Sequence, residues 1–548
     1  MNLLFETKRE RNIAVALVAL WASLFLPNLR TNPNWYGDEG EWMEKSWTFI
    51  HGTPRVGPII NDFVFPYPYP PLYMLVTGEL LSVFGNDLLV ARALGAVTAL
   101  AAAVILFWIG TRLRNKTFGF LCAAAFLVYP ETVMNFRWVR SHPMAGTFAS
   151  VSCGFLVRYL QERRLRDVVW AGVFCSLATA THYYTAPLIL ALVATVACIN
   201  WRHSFVAAVA AGAYGALFVL WYVLTKGGVA HLMEQVHRVG GMTGGPQPTI
   251  IETVWHWIKN LGIFCFNDRI VGTTGAQFID LWPALAAVGI VLFPVARFRK
   301  WIALWVLALM AVVFKKQDNV PLFFYPATLF LPLMALGVAG ASAFAGEFVG
   351  RMLKPAAVMI PLGVLAAFGL TSLYGSLNHF RTKIDIWTQQ QTSVSSVEKL
   401  MAYVNEQTTA EDVVLAPKQI YWLVNNARKS MLSHCVTYEG HTNDAWPVPI
   451  PRDLFWFDCR WQRAKYLVLA SGVTRDGRPR GIDLIYTRAL AGVQEIVDGV
   501  LQEKWPVVVT DGRQGALVPV GGGKQWPIVV DGEYIVLANP RFMKADPK

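Results

Sequence analysis

Two stretches near the start of the chain carry residue types suited to chemistry: Trp35-Tyr36-Gly37-Asp38-Glu39-Gly40 and Tyr67-Pro68-Tyr69-Pro70-Pro71-Leu72-Tyr73. The first sets two carboxylates side by side, just beyond an apolar segment. Anionic side chains are costly beside hydrocarbon and are repelled by anionic lipid, so anchoring does not explain them. A carboxylate there can accept a proton as a general base or ligate a metal ion, and it would meet a substrate carried by lipid. The structural alternative for Asp38 is an N-cap for a helix starting near Glu39.

The rest of the chain must hold these residues at a membrane. Of 548 residues, 54% are hydrophobic and only 15% charged, well under the ~25% of a soluble domain. The net charge of +12 does not point to nucleic acid, because the basic residues fall in short clusters between apolar runs. Seven scattered cysteines give no metal-ligand spacing, and no CxxC or HExxH occurs. About eleven apolar spans of near-crossing length can be drawn, at roughly 12–27, 87–110, 117–134, 143–160, 168–182, 185–200, 204–224, 278–296, 300–314, 321–343 and 355–375.

The basic residues orient these spans. With a cytoplasmic amino terminus, the inner loops hold Lys8, Arg9 and Arg11, then Arg112, Arg114 and Lys116, then Arg163, Arg164 and Arg166, then Arg202, Arg297, Arg299, Lys300, Arg351 and Lys354. The outer turns hold little beyond Arg137, Arg140, Lys315 and Lys316. That asymmetry is the positive-inside pattern. The first span follows a basic stretch as a signal peptide does, but its apolar run continues without a small-residue cleavage site and reads as an uncleaved anchor.

Three segments then lie outside: a first loop over 28–86, a second over 225–277, and a tail over 376–548. Within the first loop, Pro71 to Phe84 is too short to span and reads as an interfacial or re-entrant helix. The tail changes character. Val394, Val397, Leu400, Met401 and Val404 recur at helical spacing, and short β-rich runs follow at Val413-Val414-Leu415, Tyr466-Leu467-Val468-Leu469, Val507-Val508-Val509 and Tyr534-Ile535-Val536-Leu537. The expected fold is thus an all-α polytopic bundle over 1–375 with a soluble α/β or α+β domain over 376–548. Cys435 and Cys459 both fall in that domain, where an oxidising compartment would permit a disulfide.

Asp-Glu in the first outer loop, Pro-Pro-Leu before the second span, Ala91-Arg92 at that span's start and a late soluble domain together resemble the GT-C superfamily of membrane glycosyltransferases. More narrowly, the chain is similar to the bacterial protein mannosyltransferase and aminoarabinose transferase group. The resemblance implies transfer of a sugar from a polyprenyl-phosphate donor to an acceptor glycan, lipid or protein on the outer side of a bacterial inner membrane. It implies Asp38 as the base, with Glu39 as a metal ligand or a helix N-terminal charge. The departing phosphate then needs cations, and Arg137 and Arg140 on one short outer turn suit it, because the guanidinium fork keeps its charge and donates two parallel hydrogen bonds. Snorkelling to headgroups is the plain alternative for both.

The chain also departs from the group's pattern. An acidic residue of many relatives is replaced by His142, which puts metal binding through Asp38, Glu39 and His142 in question and leaves a divalent ion an open cofactor. A lysine before Pro-Pro-Leu is replaced by Tyr69, and a Thr-Lys pair by Thr181-His182. Lys315 and Lys316 are further candidates for the donor phosphate, against ordinary lipid anchoring. Arg92 is costly facing lipid and is expected to turn inward toward Glu79 or Asp87. Two other readings are a lipid-linked-sugar transporter, although neither internal repeats nor mid-span acidic residues are found, and a non-catalytic envelope assembly protein. The tail is expected to help bind or select the acceptor.

Overall fold

The computed structural model describes residues 8–31, 37–51, 70–225, 320–377, 394–417, 420–441, 451–470, 490–510, 517–520, 524–527 and 534–543, with isolated pieces between 249 and 305. The amino-terminal part is a helical bundle. Helix α1 (Lys8–Phe25) leads to α2 (Gly37–His51) and α3 (Leu72–Phe84), then to α4 (Leu88–Leu113), α5 (Lys116–Val128), α6 (Pro130–Asn135), α7 (Ser141–Glu162), α8 (Leu165–Thr181), α9 (Pro187–Ala197) and α10 (Trp201–Thr225). Two further helices, α11 (Val320–Gly350) and α12 (Ala356–Leu377), complete the described bundle.

Local signals start and stop these helices. The Asp87 side chain accepts the Leu89 N–H at 2.7 Å to open α4, and Asn115 accepts the Phe118 N–H at 2.9 Å to open α5, each satisfying a donor the helix cannot. The expected span 117–134 is two helices, because Pro130 lacks an N–H and begins a new helix at its first turn. The expected spans 168–182 and 185–200 are separate helices, joined by a 3-10 turn, Tyr183–Thr185. Leu88–Leu113, Trp201–Leu220 and Thr328–Gly350 are long and apolar enough to cross a membrane. Of the expected spans, 278–296 and 300–314 lie outside the described residues, except that Phe278 and Ile279 belong to a strand and Trp305 is helical and buried.

Charged residues of the loops counted as inner meet at one end of the bundle. Arg112 pairs with Glu162, Arg114 with Glu347, and Arg158 with Asp167. At the opposite end, α4 runs close to the turn between α6 and α7. A Cβ on Gly95 would run into the Phe136 carbonyl, so glycine permits that approach.

Residues 394–543 form a mixed sheet with helices. Its order is β4 (Arg428–Met431), β3 (Val413–Ala416), β5 (Ala464–Ala470), β9 (Tyr534–Ala538), β6 (Val507–Thr510); β3 is parallel to both neighbours and β9 antiparallel to both of its own. Two hairpins stand apart, β1 (Asp268–Ile270) with β2 (Gln277–Ile279), and β7 (Leu517–Val520) with β8 (Lys524–Pro527). The central strands are buried on both faces, alternating residue by residue. Leu415, Leu467, Leu469, Ile535 and Leu537 pack with α14 (Leu432–Tyr438) and α15 (Leu490–Gln502). Val414, Val468, Tyr534 and Val536 face the other way, into a core shared with α13 (Val394–Glu406) and with Met43 of α2 and Tyr73 and Leu81 of α3. The sheet therefore does not close its core on its own. It uses helices α2 and α3.

Cys435 and Cys459 are buried, unbridged thiols, which corrects the disulfide considered from the sequence. Burial pushes both above the ordinary thiol range, which leaves them inert as nucleophiles. Asp412 behaves differently. Burial alone would raise its pKa, but Thr409 N–H at 2.8 Å and the Lys465 ammonium at 3.0 Å outweigh it and hold the carboxyl below its ordinary value.

Two outcomes follow. Gly95→Val should destabilise the protein by about 1–3 kcal/mol through overpacking, read as a lower melting temperature in detergent. Because the folded pKa of Asp412 is depressed, its contribution is present above the unfolded value and disappears as pH falls through the folded one. The melting-temperature gap between wild type and Asp412→Asn should be full at neutral pH and shrink once pH drops below about 4.

Candidate functional site

Arg92 organises this end of the bundle. It sits one turn into α4, fully buried, and donates from Nε to Glu39 Oε1 at 2.9 Å and from Nη2 to Glu39 Oε2 at 2.7 Å. Its Nη1 donates to the carbonyl oxygens of Leu29 and Arg30 at 2.9 and 3.3 Å, just past the end of α1. The partner is thus Glu39, and neither Glu79 nor Asp87; Asp87 caps α4 and meets Arg30. The sequence leaves this open because Glu39 lies 53 residues away. Arg92 does turn inward, as its cost in lipid requires.

Glu39 Oε1 also accepts the backbone N–H of Val139 at 3.0 Å. One carboxylate therefore fastens the first turn of α2 both to α4 and to the turn that carries Arg137 and Arg140. Its two oxygens are engaged this way, so Glu39 does not fit the metal-ligand role. Among the described residues, no group of three or more His, Cys, Asp or Glu comes together to hold a metal ion.

Asp38 lies in the same first turn of α2, which begins at Gly37. It stands inside the helix and not at its cap; its side chain lies outside the described residues, as do Tyr69, Lys315 and Lys316. Arg137 is corrected. Its guanidinium is fully buried and donates from Nη1 to the Leu24 carbonyl at 3.0 Å and from Nη2 to the Pro27 carbonyl. The Leu24 carbonyl is one that the end of α1 leaves without a helical partner, and Pro27 lies just past that end. Arg137 thus caps α1, with its two terminal nitrogens turned toward α1 and not toward a phosphate.

Arg140 is buried and stacks over Trp138, its Cζ 4.4 Å from the ring centroid. It immediately precedes α7, whose first turn holds Ser141, His142 and Pro143. Across from it, His182 ends α8, and its Nδ1 accepts the Tyr184 N–H at 3.2 Å. That bond leaves Nε2 as the ring nitrogen able to meet another group. The His142 and His182 rings lie 4.1 Å apart, and Tyr183 and Tyr184 pack within 4.8 Å of His182. Arg140, His142 and His182 thus converge from two helices, whereas Arg137 faces away. Sequence reading assigns neither the contact made by Trp138, which gives Arg140 its platform, nor that made by Tyr73, which packs edge-on to Trp42 at 5.4 Å. Neither position carries a local signal, since both residue types are common at membrane interfaces.

Residues 69–226 match the family model described as dolichyl-phosphate-mannose-protein mannosyltransferase. No curated protein matches the chain by sequence. Among solved structures, ArnT from Cupriavidus metallidurans bound to undecaprenyl phosphate superposes with a TM-score of 0.59 at 13% identity, covering 98% of each chain. Its apo form gives 0.53 at 13% identity over 97% of each chain. The Archaeoglobus fulgidus oligosaccharyltransferase tethered to an acceptor peptide gives 0.52 at 13% identity, covering 96% of this chain and 75% of that one. The fold is that of the GT-C glycosyltransferases. Over residues 69–226 the chain is similar to that mannosyltransferase family, and its fold is similar to that of ArnT.

The buried pair carries a clear expectation. Arg92→Met strands the Glu39 charge and should cost about 3–5 kcal/mol. The double variant Glu39→Gln/Arg92→Met should lose less than Arg92→Met alone, as read from thermal unfolding of the detergent-solubilised protein.

Proposed function

We propose that this protein is an integral-membrane glycosyltransferase that moves a sugar from a polyprenyl-phosphate donor to an acceptor on the outer side of a bacterial inner membrane. In this reading the amino terminus is cytoplasmic, about eleven helices cross the bilayer, and residues 376–548 lie outside. The observation that carries it is Glu39 joined at once to Arg92 and Val139. That link ties the Asp38-bearing turn to the turn that ends in Arg140, so the candidate base and the candidate phosphate cations belong to one rigid constellation.

The chemistry then divides among these residues. Asp38 accepts the proton of the acceptor hydroxyl or amine as its lone pair attacks the anomeric carbon. The bond from that carbon to the phosphate oxygen breaks, and the electron pair leaves on the lipid phosphate. Arg140 and the N-terminal turn of α7 supply positive potential for that charge. His182, with Nδ1 already accepting a backbone N–H, is available to donate from Nε2. A single displacement inverts the anomeric centre. In this scheme Glu39, engaged by Arg92, keeps a structural part.

Undecaprenyl-phosphate mannose and undecaprenyl-phosphate aminoarabinose, radiolabelled and mixed with envelope fractions as acceptor, test the reading. Asp38→Asn should lower transfer by about 10²–10⁴-fold with the amount of folded protein unchanged; retention of most activity would remove Asp38 from the base role. Arg140→Gln should cost about 10²-fold in kcat, and an unchanged rate would take Arg140 out of the donor site.

A further inference from the structure

The residues that hold α2 from its other side belong to edge strand β4 and to the 3-10 turn Tyr421–Leu423 that precedes it. Lys429 on edge strand β4 is fully buried and pairs with Glu44 of α2, also buried. The same ammonium donates to the Val424 carbonyl at 3.1 Å and the Trp422 carbonyl at 3.4 Å. Two residues after Asp38, Gly40 lies under the Trp422 indole, so tightly that a Cβ at Gly40 would stand 2.5 Å from Trp422 Cδ1. The Tyr421 hydroxyl donates to the Gly40 carbonyl at 3.4 Å. Met43, one turn on, packs in a core with Val397, Met401 and Ile420.

We infer that the C-terminal sheet is a positioning element for the catalytic turn: through Lys429–Glu44 and Trp422 against Gly40, it sets where the first turn of α2 stands. The reason lies in the other constraint on that turn. Glu39 fastens it to α4 and to the Val139 turn, and α3 packs along the helix beyond it, with Gly78 close against the Ser46 carbonyl. The buried contacts from the C-terminal unit add a further attachment, so the place of the turn is set jointly by the bundle and by that unit. A buried ammonium that needs a carboxylate fixes register more strictly than apolar packing, because a displaced pair leaves a charge unsatisfied. Lys429 and Trp422 are positioning residues that act through α2. This inference rests on the proposed transfer only where it concerns rate; the mechanical part stands on the contacts alone.

Two variants of the full chain test it. Gly40→Ala adds one methyl against Trp422 without stranding a charge and with better helix propensity, so it should fold and shift the turn. Lys429→Met removes the pair. In both, the amides of 41–51 should exchange with deuterium about tenfold faster while those of α4 stay unchanged. With undecaprenyl-phosphate mannose, or the aminoarabinose donor if that is the one used, Gly40→Ala should lower kcat by about 10²-fold and leave donor KM near wild type. Adding Trp422→Leu should restore most of the rate, a rescue that general destabilisation would not produce. Unchanged exchange over 41–51 in both variants would overturn the clamp. Faster exchange with unchanged kcat would overturn its positioning role. A wild type inactive on both donors would count against the proposed function, while the exchange result would still decide the clamp.

Discussion

The buried pair between Arg92 and Glu39 is the constraint on which this end of the molecule depends. A guanidinium on a membrane helix must find an acceptor for every donor, because none is available from hydrocarbon. Arg92 meets that demand with both oxygens of Glu39 and with the carbonyls of Leu29 and Arg30. The consequence is geometric. The end of α1, the start of α2, the start of α4 and the turn before α7 must all come to one point. Arg137 reinforces it by capping α1 from the turn before α7.

This arrangement gives neighbouring carboxylates different parts. Glu39 is enclosed and ion-paired, so its charge has structural work. Asp38 is one residue away on the same helical turn, and adjacent positions on a helix point about 100° apart. Under the proposed function, Glu39 is an anchor beside the candidate base, and the pair need not bind one ligand.

The C-terminal unit adds to the same logic. A sheet with both faces buried needs two sets of apolar partners, and here part of one set comes from α2 and α3. Its attachment is more than apolar, since Lys429 reaches a carboxylate on α2. The sheet and the bundle share a core, and α2 lies between them.

Much of this was legible in the residues alone. Low charge content and the spacing of basic clusters specify a membrane bundle, because hydrocarbon excludes charge whatever the tertiary contacts. Short, continuous β-rich apolar runs at Tyr466–Leu469 and Tyr534–Leu537 specify strands, and the spacing of Val397, Leu400, Met401 and Val404 specifies a helix, since that period comes from backbone geometry. Strand β4 escaped notice because Arg428-Lys429-Ser430 is polar, and its burial depends on partners distant in the chain. The same limit governed the site. Residue type marked Asp38-Glu39, Arg140, His142 and His182 as chemically capable, but Arg137 has the same type as Arg140 and caps a helix. Which arginine caps α1, which carboxylate meets Arg92 and which lysine meets Glu44 were decided only by tertiary structure. These are pairings across tens to hundreds of residues, and a charge in the sequence carries no label for its distant partner.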